Sequence, residues 1–191
     1  ANGQADISGA HLWDAETDSY NSPYIRRFFP GQRIALVTLA QRRLGLILPP
    51  GNPLDITGLA DLVRPGVRFV NRNPGSGTRV WFEAMLERTG IDIRRIQVDI
   101  PEQMTHLAVA QTVAQQQADV GLGLQAAALA YGLDFCLLAL ERYDLVIPEA
   151  AFDRSEVQAL VAALAQPDVC QAIRDLGGYD TRLTGQIEWV H

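Results

Sequence analysis

Apolar residues fall in short runs separated by polar stretches rich in Gly and Pro, and the runs switch between two periods. Residues 34–39 (Ile-Ala-Leu-Val-Thr-Leu) and 44–48 (Leu-Gly-Leu-Ile-Leu) are near-continuous apolar runs, the pattern of two strands buried on both faces. Pro49-Pro50-Gly51-Asn52-Pro53 ends the second. Thr57 reads as the cap of a short helix through Leu62, and residues 67–70 as the next strand. Asn73-Pro74-Gly75-Ser76-Gly77-Thr78 opens a helix that runs past Leu86 and stops at Gly90. Residues 96–100 alternate as a strand does, and Pro101 begins a helical stretch through Gln117. A brief strand over 119–122 leads into an Ala-rich helix over 125–131. Residues 135–140 and 145–147 read as extended. In the tail, Val157, Leu160, Val161 and Leu164 follow helical spacing with Ser155 as the cap, and a second helix follows Pro167.

This alternation predicts an α/β protein with mostly parallel sheets. One echo runs through it: residues 3–9 (Gly-Gln-Ala-Asp-Ile-Ser-Gly) resemble residues 116–122 (Gln-Gln-Ala-Asp-Val-Gly-Leu), which suits two similar lobes.

The 191 residues carry a net charge of −6, which argues against direct nucleic-acid binding by this segment. All 16 basic residues are Arg. Without Lys there is no Walker A, Schiff-base or kinase lysine, and a cationic ligand contact must come from Arg. No apolar run approaches the ~20 residues of a membrane span. Cys136 and Cys170 form no CxxC and read as small buried residues, and His11, His106 and His191 lack metal-site spacing, so no metal is expected.

Candidate chemistry concentrates between the expected strand at 67–70 and the helix after it. Small residues there let a ligand approach the backbone, the first helical turn offers N–H groups, and Ser76 and Thr78 add hydroxyls. Arg72 stands at the strand's C-terminal end, where open α/β sheets bind ligands. Three other patterns are weaker. Gly121-Leu122-Gly123-Leu124-Gln125-Ala126 fits a dinucleotide fingerprint but sits late in the chain after a short strand. Ser76, His106 and Asp119 could be drawn as a triad, yet no nucleophile elbow surrounds Ser76. Glu141-Arg142-Tyr143-Asp144 reads as a salt-bridged connection between strands. With no catalytic residue assigned, an enzyme is the weaker reading.

Several stretches together resemble a known family: residues 5–12 (Ala-Asp-Ile-Ser-Gly-Ala-His-Leu), Tyr20-Asn21-Ser22-Pro23-Tyr24, residues 69–79 from Phe-Val-Asn-Arg to Gly-Ser-Gly-Thr-Arg, residues 105–110, residues 118–123 and Glu141-Arg142-Tyr143-Asp144-Leu145. They are similar to the periplasmic-binding-protein-like domain of cytoplasmic proteins linked to molybdate and molybdopterin. The resemblance covers nearly the whole chain. It implies a type 2 periplasmic-binding fold with two α/β lobes and two hinge crossings. Lobe one would comprise residues 1–53 and 141–191, and lobe two residues 54–140. It also implies Arg72, Ser76, Gly77 and Thr78 as ligand contacts, with His11, Thr105 and His106 on further family-like stretches.

The expected function is a cytoplasmic sensor domain that binds an oxyanion such as molybdate or tungstate by cleft closure, with no other cofactor. The alternatives are a domain of a molybdopterin-biosynthesis protein and a carboxylate-sensing effector domain of a transcription regulator. Relatives carry a further stretch before the segment that begins at Ala5, so lobe one is expected to be incomplete at its N-terminus. Exposed apolar surface at 34–39, 44–48 and 157–164 would then drive homo-oligomerisation through lobe one. Fusion to a further module is expected as well.

Overall fold

The computed structural model describes residues 5–191, so Gly3 and Gln4 of the echo lie outside the described residues. In chain order the elements are β1 (Ser8–Ala10), β2 (Trp13–Asp14), β3 (Ser19–Tyr20), α1 (Ser22–Phe28) and β4 (Ile34–Leu48). There follow β5 (Phe69–Val70), α2 (Gly77–Arg88), α3 (His106–Ala114), β6 (Val120–Leu124), α4 (Gln125–Ala130) and β7 (Asp134–Pro148). The tail holds α5 (Glu149–Phe152), α6 (Ser155–Leu164), α7 (Pro167–Asp175), β8 (Tyr179–Asp180) and β9 (Ile187–Val190). The chain forms two compact units, Ala1–Arg42 with Glu141–His191, and Arg43–Leu140. Both β4 and β7 run from one unit into the other.

In the first unit, β4 pairs antiparallel with β9 from Ile34↔Val190 to Val37↔Ile187, and β7 pairs antiparallel with β1. Alternate residues of β4 serve two cores. Ile34 and Leu36 join Ile25 of α1, whereas Ala35 and Val37 join Val157, Val161 and Leu164 of α6. Burial on both sides is why this run shows no polar alternation. It also overturns the expected exposed surface. Residues 34–37 and Leu44, Leu46 and Ile47 have no exposure, and Val157, Val161 and Leu164 are buried. Tail elements cover residues 34–37, whereas β6 pairs with residues 44–47 and α3 and α4 pack against Ile47.

In the second unit, β6 lies antiparallel to β4 and parallel to β5. The expected mostly parallel sheet is therefore a mixed one, because the long strands β4 and β7 take antiparallel partners. Val109, Ala110 and Val113 of α3 and Ala127 and Ala128 of α4 pack with Ile47 and Val70. Gly121 is glycine for packing, since a Cβ there would lie 2.4 Å from a Val109 methyl. The dinucleotide-like glycines stand inside β6, not in a phosphate-binding turn. Gly45 has a stricter role: a Cβ would come 2.0 Å from the Cys136 carbonyl oxygen on β7.

Other expectations also shift. The runs 34–39 and 44–48 are one 15-residue strand, and 135–140 and 145–147 are another. The polar residues at their middles, Arg42 and Glu141, pair with each other, so extended backbone continues through them. Residues 96–100 form no strand and contribute only a bridge from Gln97 to Arg68. Pro101 does not begin α3, which starts at His106 after the Thr105 cap. Leu59–Val63 is a 3₁₀ turn capped at Gly58, with Thr57 donating to the Asp61 carboxylate instead. Ser155 is the first residue of α6, not its cap. Cys136 and Cys170 are free thiols and only partly buried. Among the described residues no helix is long and apolar enough to cross a membrane.

Candidate functional site

The strand β5 ends at Val70, and the chain reaches α2 through a six-residue turn that Asn71 begins, itself buried. Phe69 stacks on Phe82 of α2 with ring centroids 5.1 Å apart, which fixes the turn between two anchored elements. Gly75 adopts a positive φ of 78° that a side chain would strain. Ser76 is the N-cap of α2, its Oγ accepting from the Arg79 backbone N–H at 3.3 Å. Gly77 and Thr78 are the first two helical residues, whose N–H groups have no acceptor within a helix and sit at the positive end of its dipole.

A second segment is laced to this turn. Gln103 donates its N–H to the Asn71 carbonyl at 2.9 Å, and Asn73 donates to the Gln103 carbonyl at 3.1 Å. The Arg72 guanidinium closes the arrangement, donating to the carbonyls of Gln103 (3.1 Å) and Met104 (2.9 Å). Its Nη1 lies 2.9 Å from Nε2 and 3.1 Å from Nδ1 of His106, the first residue of α3. Thr105 caps α3 by accepting from the Ala108 N–H at 3.0 Å. The structure thus brings Arg72, Ser76, Gly77, Thr78, Thr105 and His106 into one neighbourhood of one unit. Thr105 and Ser76 spend hydroxyl lone pairs on capping. Thr78 is buried, and its Oγ1 has no hydrogen-bond partner among the described residues. That atom is shut from solvent, so a ligand contact through it requires local movement.

Arg79 was not singled out from the sequence, although it ends the same motif. It donates to the Arg72 carbonyl at 3.2 Å and pairs with Glu83 at 2.7 Å and with Glu102. Those two carboxylates engage its charge, and the Glu83 hydrogen bond leads in raising its pKa. Asp119, the third member of the imagined triad, is held by Arg68 at 2.7 Å.

His11 belongs to the other unit and to a different cluster. Its Nδ1 lies 2.8 Å from Oε1 of Glu141, a carboxylate that is 1% exposed. The Glu141 Oε2 accepts from Arg42 Nε at 2.9 Å and from Arg42 Nη2. The Arg42 guanidinium also lies over the Tyr143 ring, 4.6 Å from its centroid. Burial alone would push the Glu141 carboxyl up, but the His11 hydrogen bond and the Arg42 charge outweigh it and hold it low. Tyr20 is pushed well above its ordinary value, by burial first and by the Glu141 charge second. Glu141 and Asp144 lie inside β7 and not in a connection between strands. The signal in the sequence was three charged residues, Glu141, Arg142 and Asp144, interrupting an apolar run. Among the described residues no group of three or more His, Cys, Asp or Glu is placed to hold a metal ion.

Comparison with known proteins places this geometry. A family model described as a PBP superfamily domain matches residues 1–165. The Bacillus subtilis protein YvgK, itself uncharacterized, is 37% identical over 186 residues, which is 97% of this chain and 59% of that protein. The chain therefore spans under two thirds of that relative's length. Among solved structures, Campylobacter jejuni PEB3 with bound L-phospholactate aligns with a TM-score of 0.61 and 23% identity, over 93% of this chain and 80% of that one. The tungstate ABC transporter structure from Geobacter sulfurreducens aligns with a TM-score of 0.60 and 14% identity, over 91% of this chain and 78% of that one. At these identities the structures speak to the fold. By the family model and by its mixed α/β architecture, the chain belongs to the PBP superfamily and has the type 2 periplasmic-binding-protein-like fold.

Proposed function

We propose that this chain is a small-anion-binding sensor domain, non-enzymatic and cytoplasmic, with a tetrahedral oxyanion such as molybdate or tungstate as its ligand. The observation that carries the reading is the setting of Arg72. Its guanidinium is fixed by two carbonyls and an imidazole at the N-terminal turn of α3, while its backbone begins the turn that leads into α2. A planar cation next to a helix N-terminus suits an oxyanion, since both supply positive potential and directed N–H donors. Structures of similar fold hold L-phospholactate or belong to a tungstate transporter, which supports a small anion as the ligand class. The absence of Lys supports a binding role over several enzyme chemistries. On this reading, anion occupancy biases an attached output module.

A thermal-shift panel of molybdate, tungstate, sulfate, phosphate and simple carboxylates tests the reading. A ligand at a hundred times its Kd adds about 2.7 kcal/mol to stability, which raises the melting temperature measurably. A flat panel across all these anions would count against it.

A further inference from the structure

A hollow of about 280 Å³ in the first unit is separate from the Arg72 turn in sequence and in the elements that build it. Its floor is β4, through Leu39, Ala40 and Arg42. Tyr143 of β7 forms one side, and Tyr179 of β8 pairs directly across from Arg42. The remaining wall is Ile173 of α7 and Leu176 just beyond its end. No residue of α7 is fully buried, and Leu176 is 63% exposed, so this helix borders the hollow without filling it.

The walls are apolar and the floor carries one cation. Arg42 directs Nε and Nη2 to Glu141. No described residue accepts from its Nη1, and that nitrogen is not among the buried, unpartnered atoms, so it remains accessible. Arg42 is otherwise well covered, with 13% side-chain exposure. A guanidinium edge at the bottom of an apolar hollow matches a carboxylate carried on an apolar body. It does not match a tetrahedral dianion. One open nitrogen cannot satisfy four charged oxygens, and the apolar walls would desolvate the rest. The volume is just under the roughly 300 Å³ at which ligand pockets begin, which limits the body to about one ring.

We propose that this hollow is a binding site for a small monocarboxylate with an aromatic or compact aliphatic body, held by Arg42 Nη1 and packed between Tyr143, Tyr179 and Leu176. The site does not depend on the oxyanion reading. It shares no residue with the Arg72 turn.

Phenylacetate is the probe, and benzyl alcohol supplies the same ring without the charge. Ligand-observed NMR and calorimetry are run on the full chain and on Leu176→Glu. That variant changes an exposed wall residue, and its melting temperature is checked first. Phenylacetate should bind, benzyl alcohol should bind about tenfold more weakly or worse, and Leu176→Glu should weaken phenylacetate by about tenfold. Excess inorganic phosphate should not displace phenylacetate. Equal binding of the two probes, no binding of phenylacetate, indifference to Leu176→Glu, or displacement by phosphate would each overturn the proposal. Phosphate binding measured in the same experiment reports on the Arg72 site separately.

Discussion

The Arg72 guanidinium and the His106 imidazole are in hydrogen-bond contact, with Nη1 2.9 Å from Nε2. The two residues are 34 positions apart and stand at the ends of different elements, Arg72 after β5 and His106 at the start of α3. The contact orients the Arg72 cation at the N-terminal end of α3. His106→Ala should therefore weaken oxyanion binding by about 1 kcal/mol, the worth of one hydrogen bond, without abolishing it. Arg72→Lys should not restore wild-type affinity, because an ammonium cannot donate to two carbonyls and an imidazole in a fixed plane. Calorimetric affinities for the two variants check both statements.

Glu141→Gln should be destabilising at neutral pH by about 3 kcal/mol, since it breaks a buried pair and leaves Arg42 uncompensated. The pH dependence has a definite sign. The folded-state carboxyl is held below its ordinary value, so its contribution is present above about pH 4.3 and is lost as pH falls through the folded value. Urea denaturation of the wild type should show that loss in acid, and the Gln variant should show a flatter acid limb. Equal acid slopes would remove Glu141 from the account.

Gly45→Ala should destabilise by about 1–3 kcal/mol, because its methyl group would overlap the Cys136 carbonyl, a backbone atom that cannot swing aside. Denaturant midpoints measure this. An unchanged midpoint would mean that β4 and β7 separate there freely.

Ser76→Ala should cost about 1 kcal/mol of stability through the lost α2 cap. The same change should affect anion affinity less than Arg72 truncation does, because the Ser76 oxygen already accepts from Arg79. Parallel melting and binding curves separate the two effects.

The sequence made some parts of this molecule easy to read and hid others. The α2 turn was legible because Pro74, Gly75 and Ser76 are local signals, and a cap, a positive φ and a helix start are all local events. The burial of 34–38 and 44–48 was legible from their two near-continuous apolar runs. The continuity of β4 and β7 was not. Gln41, Arg42 and Arg43 look like a break until Glu141, 99 residues later, supplies the partner for Arg42. The contact between Arg72 and His106 was equally hidden, since each residue by itself suits a solvated surface. Their meeting depends on the Asn71–Gln103–Asn73 ladder, which no local pattern announces.

Calorimetric titration of molybdate, tungstate and phosphate into the wild type and into Arg72→Ala tests the central claim most directly. The wild type should bind at least one of these anions, and Arg72→Ala should lose roughly 1.5–3 kcal/mol of that affinity, as for a hydrogen bond to a charged group, with its melting temperature retained. Unchanged affinity in Arg72→Ala would contradict the account and place the anion elsewhere.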